Sequence, residues 1–214
     1  MMQRYGEDWL KVVRQERIIA VIRSTDIQIG RKMAQAMVAG GIKLIEITAN
    51  SDRSWELIES LRTELPDCSI GTGTVLSLAD VRNAIACGAE YIFMPHVDLN
   101  LIQAAITAEI PIIPGALTPT EIVTAWQSGV TAVKVFPIQA LGGVSYLQAL
   151  QEPIGQIPLI PTGGVTVTNA ADFLTAGAVA VGLAGSLFPQ DEILREDWQS
   201  IRDRASNLIM RIKI

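Results

Sequence analysis

Charge is scarce in this 214-residue chain: Asp, Glu, Lys and Arg make up 18% of it, and aromatic residues only 5%. There are 2 cysteines and 1 histidine. Each shortage excludes something. With 17 Lys and Arg against 22 Asp and Glu the net charge is −5, so nothing attracts phosphate backbones generally, and nucleic-acid binding is disfavoured. The most apolar stretch, Ala176 to Phe188, carries three glycines and falls short of the ~18 residues that cross a bilayer. No membrane contact is expected. No Asp, Glu or His cluster has metal spacing, so neither a metal nor a cofactor is expected. Cys68 and Cys87 sit in no metal or redox spacing and read as buried thiols of a reducing compartment. The opening MMQRYGEDWLKVVRQER has no apolar core before a cleavage site, which reads as no signal peptide and a cytoplasmic protein. What is present is apolar: 49% of residues are hydrophobic, and a chain this long buries roughly 70% of its unfolded surface. One domain spanning 1–214 is expected.

Short apolar runs alternate with longer helix-period segments. The runs are Arg17–Arg23, Lys43–Ala49, Ser69–Val75, Tyr91–His96, Pro111–Ala116, Ala132–Pro137, Leu159–Gly164 and Ala178–Leu183. They are rich in Ile and Val and end at turn residues, as buried parallel strands do. Between them Ile29–Ala39, Trp55–Leu65, Leu78–Ala86, Leu99–Ala108 and Pro119–Gln127 read as helices. Several close on Gly (Gly40, Gly88, Gly129, Gly177), which tolerates the left-handed conformation after a helix. Thr118 before Pro119 reads as a cap with Pro at the first helical position. Eight such units in this length predict an α/β fold, a (β/α)8 TIM barrel, with a doubly wound open sheet as the competitor. Glu7–Glu16 reads as an extra N-terminal helix covering the barrel bottom, and Asp191–Ile212 as the eighth helix.

Catalytic groups in such a barrel lie at the C-terminal strand ends, so polar residues in apolar strands are informative. Lys134 stands in VKVF, and the two-residue alternation sends it inward while Val133 and Val135 face the helices. Burial disfavours the ammonium form and frees an amine to attack a carbonyl; the alternative is a lysine snorkelling from a strand end. Glu46 in LIEIT repeats the pattern with Leu44 and Thr48 on the inward face. It needs a partner, and Lys134 is the candidate, either as a structural pair or as a proton shuttle beside a nucleophile. GTGTV places Thr72 and Thr74 on one inward face. TGGV (Thr162, Gly163, Gly164, Val165) follows the seventh run and GLAGS, with Gly185 and Ser186, the eighth; glycines there let backbone N–H groups approach a phosphate. His96, after Pro95, reads as a pocket wall or capping contact. Arg23 ends the first run and can hold a carboxylate or phosphate.

IEIT, GTGTV, MPHVD, IPGALTPTE, VKVFP, Gly142–Gly143, PTGGV and GLAGS occur in one order. Together they resemble the 2-keto-3-deoxy-6-phosphogluconate (KDPG) / 2-keto-4-hydroxyglutarate (KHG) aldolase family, from about Ile18 to Phe188. The resemblance implies a metal-independent class I aldolase on a (β/α)8 barrel, a homotrimer, taking pyruvate and a phosphorylated 2-keto-3-deoxy sugar acid. It implies Lys134 as the Schiff-base residue and Glu46 as general acid/base. The substrate-binding set it implies is Arg23, Thr48, Asn50, Thr74, Pro95, Phe136, Thr162, Gly163, Gly164, Gly185 and Ser186, with Thr74 preferred to Thr72. One position departs from the pattern: Asn50 stands where the phosphogluconate branch often has a carboxylate-gripping Arg, and Arg23 is the candidate to replace it, an arrangement similar to members acting on the galactonate epimer and to some phosphogluconate members. The alternatives are a 6-phosphogalactonate or hydroxyoxoglutarate aldolase, a phosphate-binding barrel isomerase without a covalent adduct, and a non-catalytic binding barrel.

Overall fold

The computed structural model describes residues 4–212. In chain order α1 (Arg4–Glu16) precedes β1 (Ile18–Ile22), α2 (Ile27–Ala39), β2 (Leu44–Thr48), α3 (Ser54–Glu64) and β3 (Ser69–Gly73). Next come α4 (Leu78–Ala86), β4 (Ile92–Phe93), α5 (Leu99–Thr107), β5 (Ile112–Ile113), β6 (Gly115–Ala116) and α6 (Pro119–Gln127). The chain continues through β7 (Val133–Val135), a 3₁₀ turn at Ile138–Leu141, α7 (Val144–Ile154), β8 (Leu159–Pro161) and α8 (Ala170–Thr175). It finishes with β9 (Val181–Leu183), α9 (Gln190–Leu194) and α10 (Trp198–Ile212). All strand pairs are parallel, in a sheet ordered β5-β4-β3-β2-β1-β9 and another ordered β6-β7-β8. Pro114 separates β5 from β6, where the missing N–H of proline interrupts a strand.

The strand period divides the apolar residues between two cores. Ile18, Ala20 and Ile22 of β1 join the large core shared with the helices, whereas Ile19 and Val21 join a smaller cluster on the other face. Ile92 and Phe93, Ile112 and Ile113, and Leu159 and Ile160 divide the same way. Trp9, Leu10 and Val13 of α1 belong to that smaller cluster, where the Trp9 ring lies 4.9 Å from Tyr91 and 6.3 Å from Phe93.

Helix ends follow local chemistry. Asp26 caps α2 by accepting from the N–H groups of Gln28 (2.7 Å) and Ile29 (2.9 Å), and Thr118 forms a capping box with Glu121 at α6. Gly88, Gly129 and Gly177 are left-handed, but Gly40 is not: its φ is −84°, and Gly41 takes the left-handed place at +95°. Gly40 is needed for room instead, because a Cβ there would stand 2.5 Å from Ala205 Cβ and 2.7 Å from the Arg202 carbonyl oxygen of α10. The expected helix over 191–212 divides into α9 and α10. Glu196 is left-handed at φ 53°, and Asp197 then caps the new start by accepting from Ser200 N at 3.1 Å and Ser200 Oγ at 2.8 Å.

Candidate active site

The C-terminal ends of the strands surround a cavity of about 690 Å³. Lys134 reaches it from the middle of β7, with Val133 and Val135 packed on the opposite face. The lysine is 6% exposed, and its Nζ stands 5.0 Å from the Phe136 ring centroid and 5.6 Å from that of Phe93. Those ring faces attract a cation and keep the side chain among apolar groups. Glu46 enters from β2 and is 1% exposed. Its Oε1 has no hydrogen-bond partner among the described residues. Burial raises the Glu46 carboxyl above its ordinary value, and the charges of Lys134 and Arg23 pull it partly back. Lys134 therefore acts on Glu46 across the cavity; the two form no ion pair among the described residues.

The neighbouring strand makes room for that carboxylate. A Cβ built on Gly73 would overlap Glu46, and one on Gly71 would overlap the Tyr91 ring, so the glycines of GTGTV are its inward residues. The expectation that Thr72 and Thr74 share an inward face is thereby corrected. Thr72 is buried on the other parity and donates to the Ile47 carbonyl at 3.0 Å. Thr74 lines the cavity because the chain turns left-handed just beyond β3, with φ 59°. Strand alternation alone does not reach past the strand's end.

Beside the Lys134 strand, Thr162, Gly163 and Gly164 follow β8, and Gly185 and Ser186 follow β9. Gly163 and Gly164 have φ of 84° and 96°. The backbone N–H groups of Gly164, Gly185 and Ser186 donate to no acceptor among the described residues, the arrangement that receives an anion. Arg23, exposed at the end of β1, also lines the cavity, as do Pro95 and Phe136.

Two expected contributors stay outside the lining. Asn50 is exposed on the loop after β2, and Thr48 is buried with its Oγ1 3.0 Å from Ser51 Oγ. His96 is half-buried and does not line the cavity either. The cavity adds residues that the sequence reading did not single out as ligand contacts: Val21, Met33, Val165, Thr166, Phe188 and Ile193. Val21 was accessible from alternation in β1; the helix residues Met33 and Ile193 carry no such local signal. Among the described residues no group of three or more His, Cys, Asp or Glu could hold a metal ion, and no helix is long and apolar enough to cross a membrane. Cys68 and Cys87 are free and buried.

An amine and a carboxylate sharing a cavity with a wall of free backbone N–H groups can perform covalent carbonyl chemistry with proton transfer. Comparison with known proteins carries the classification further. The family model for KDPG and KHG aldolase matches residues 10–204, and the chain belongs to that family, whose members are lyases. The 2-dehydro-3-deoxy-phosphogluconate aldolase of Dickeya dadantii (strain 3937) is 33% identical over 184 residues, 86% of each chain. The KHG/KDPG aldolase of Escherichia coli (strain K12) is 30% identical over 197 residues, 92% of each chain. A crystal structure of KDPG aldolase from Legionella pneumophila, with pyruvate captured at low pH as a covalent carbinolamine intermediate, gives a TM-score of 0.86 at 28% identity. It covers 96% of this chain and 98% of that one.

Proposed function

We propose that this protein is a class I aldolase that reversibly cleaves 2-keto-3-deoxy-6-phosphogluconate to pyruvate and glyceraldehyde 3-phosphate, and 4-hydroxy-2-oxoglutarate to pyruvate and glyoxylate. The observation that carries this reading is the convergence of Lys134 and Glu46, from β7 and β2, on one cavity. The Lys134 amine adds to the C2 ketone, and loss of water gives an iminium. The Glu46 carboxylate takes the proton from the C4 hydroxyl. The C3–C4 bond breaks, its electron pair moves toward the iminium to form an enamine, and the aldehyde leaves. Protonation of the enamine at C3 and addition of water then free pyruvate and the lysine. The iminium accepts the electrons, so the carbon chemistry is carried by the protein's own amine. The carboxylate's upward shift makes it a stronger base than an ordinary Glu, which suits a group that must take and return a proton.

Substrate placement follows the cavity walls. Gly163, Gly164, Gly185 and Ser186 hold the distal phosphate, Thr74 and Phe136 flank the pyruvyl group, and Arg23 holds the carboxylate. A second reading is favoured by one observation: Arg23 lines the cavity while Asn50 is exposed outside it. That arrangement resembles family members acting on the galactonate epimer as well as some acting on the phosphogluconate, so 2-keto-3-deoxy-6-phosphogalactonate belongs in the same assay series.

The wider reading is a single-domain closed (β/α)8 barrel, with α1 covering its bottom, in a cytoplasmic homotrimer. Closure is supported by Lys134 N donating to Pro114 O at 2.9 Å, by Val179 N donating to Leu159 O at 3.0 Å, and by the Thr162–Gly182 bridge. Exposed Leu76, Leu78 and Leu99, around the starts of α4 and α5, supply apolar surface for assembly.

Borohydride reduction with pyruvate, followed by peptide mass mapping, tests the mechanism. A reduced pyruvyl adduct is expected on Lys134 and not in Lys134→Ala, which should also lose all cleavage activity. A folded protein that takes no adduct would point instead to an isomerase or a non-catalytic phosphate-binding barrel.

A further inference from the structure

Three of the buried polar side chains, Ser24, Thr48 and Ser51, lie together between the loops that follow β1 and β2. Ser24 N donates to Ser51 Oγ at 3.2 Å, and Ser51 Oγ is 3.0 Å from Thr48 Oγ1. The other side of the same residue is held as well, since Asp52 N donates to Ser24 O at 2.9 Å. Thr48 lies two residues beyond Glu46 on β2, and Ser24 directly follows Arg23. Arg23 itself has no ion pair among the described residues. Its backbone, rather than a side-chain partner, therefore aims it at the cavity.

We infer that Ser51 is a positioning residue for substrate binding. It ties the Arg23-bearing loop to the strand that carries Glu46 and so keeps the guanidinium over the cavity. The hydroxyl is the contact that matters, because it is the acceptor for a buried backbone N–H that has no other acceptor among the described residues. Removing it leaves that N–H unpaired and frees the loop to move. Thr48 acts one step further back by holding Ser51, and its own side chain need not touch substrate. This inference rests on the aldolase reading only for the identity of the ligand.

The test is the pyruvate concentration that half-saturates borohydride trapping at Lys134, measured in wild type, Ser51→Ala, Ser51→Thr, Arg23→Ala and the Arg23→Ala/Ser51→Ala double variant. Ser51→Ala is expected to raise it about tenfold, with kcat changed less than about threefold, a KM-type effect. Ser51→Thr should restore it. In the Arg23→Ala background the same Ser51 change should add less than about twofold, because the residue through which it acts is already gone. Titration of Ser51→Ala like wild type, or an equal penalty in both backgrounds, would overturn the inference. If wild type traps no pyruvate, the aldolase reading fails instead. The ordering of the Arg23 Nε–H in NMR relaxation then decides the positioning role: it must fall in Ser51→Ala, and an unchanged value rejects it.

Discussion

At the scale of single residues, Glu46 carries a stability penalty when ionised. Its carboxyl is buried beside an apolar wall, lacks a partner on Oε1, and is shifted upward chiefly by desolvation. A raised folded-state value means that the folded protein keeps the proton longer than the unfolded chain as pH rises. The associated stability is therefore full below the ordinary carboxylate value and is lost as pH climbs through the window above it. Glu46→Gln removes this penalty. Its melting temperature relative to wild type should rise as pH is taken from about 4, where the ordinary carboxyl is largely protonated, to about 8. Calorimetric scans at the two pH values give the answer, and a difference independent of pH would contradict it. On the mechanism proposed above, the same substitution should slow cleavage by a factor on the order of 10² or more, since it removes the proposed proton acceptor.

At the scale of elements, the helix ends show how much a single backbone conformation decides. Gly88, Gly129 and Gly177 take the left-handed position just beyond the caps of α4, α6 and α8. At the equivalent place after α5 stands Glu109, with φ 56°. A residue with a Cβ is strained there by roughly 1 kcal/mol, which glycine avoids at some expense in unfolded-chain entropy. Glu109 is exposed and forms no ion pair among the described residues. Glu109→Gly should therefore raise stability by up to about 1 kcal/mol, visible as a higher urea midpoint at unchanged slope. A lower midpoint would show that the strain is compensated elsewhere.

At the scale of the whole molecule, α1 and the cavity residue Lys134 meet one inner cluster. Trp9 is 7% exposed and packs at a tilt against Tyr91, which packs edge-on to Phe93 at 5.7 Å. Phe93 in turn lies 5.6 Å from Lys134 Nζ, measured to its ring centroid. Trp9→Ala should destabilise the fold by about 3 kcal/mol or more, as truncation of a buried aromatic does. Well below its lowered midpoint the variant should still take the pyruvyl adduct at Lys134, because the lysine keeps its own strand and the Phe136 ring. Loss of the adduct in a demonstrably folded variant would mean that α1 shapes the site as well as the core.

Strand periodicity is local, and what depended on it was legible in the chain. Lys134 and Glu46 could be assigned to the inward face because their neighbours Val133, Val135, Ile45 and Ile47 had to face the helices. The glycines of TGGV and GLAGS were read instead from their place after the seventh and eighth runs, and both segments line the cavity. What was not legible lay beyond the strand ends or across strands. Thr74 reaches the cavity by a left-handed turn, Gly73 is empty because another strand's carboxylate fills its space, and Thr48 turns its hydroxyl to Ser51. Asn50 likewise stays outside the cavity, because the path of its loop is set by contacts with a neighbouring loop, whereas Arg23, expected there from its place at the end of the first run, lines it. A two-residue period assigns the face of a strand residue; which loop residue meets a ligand is set by contacts between segments far apart in the chain.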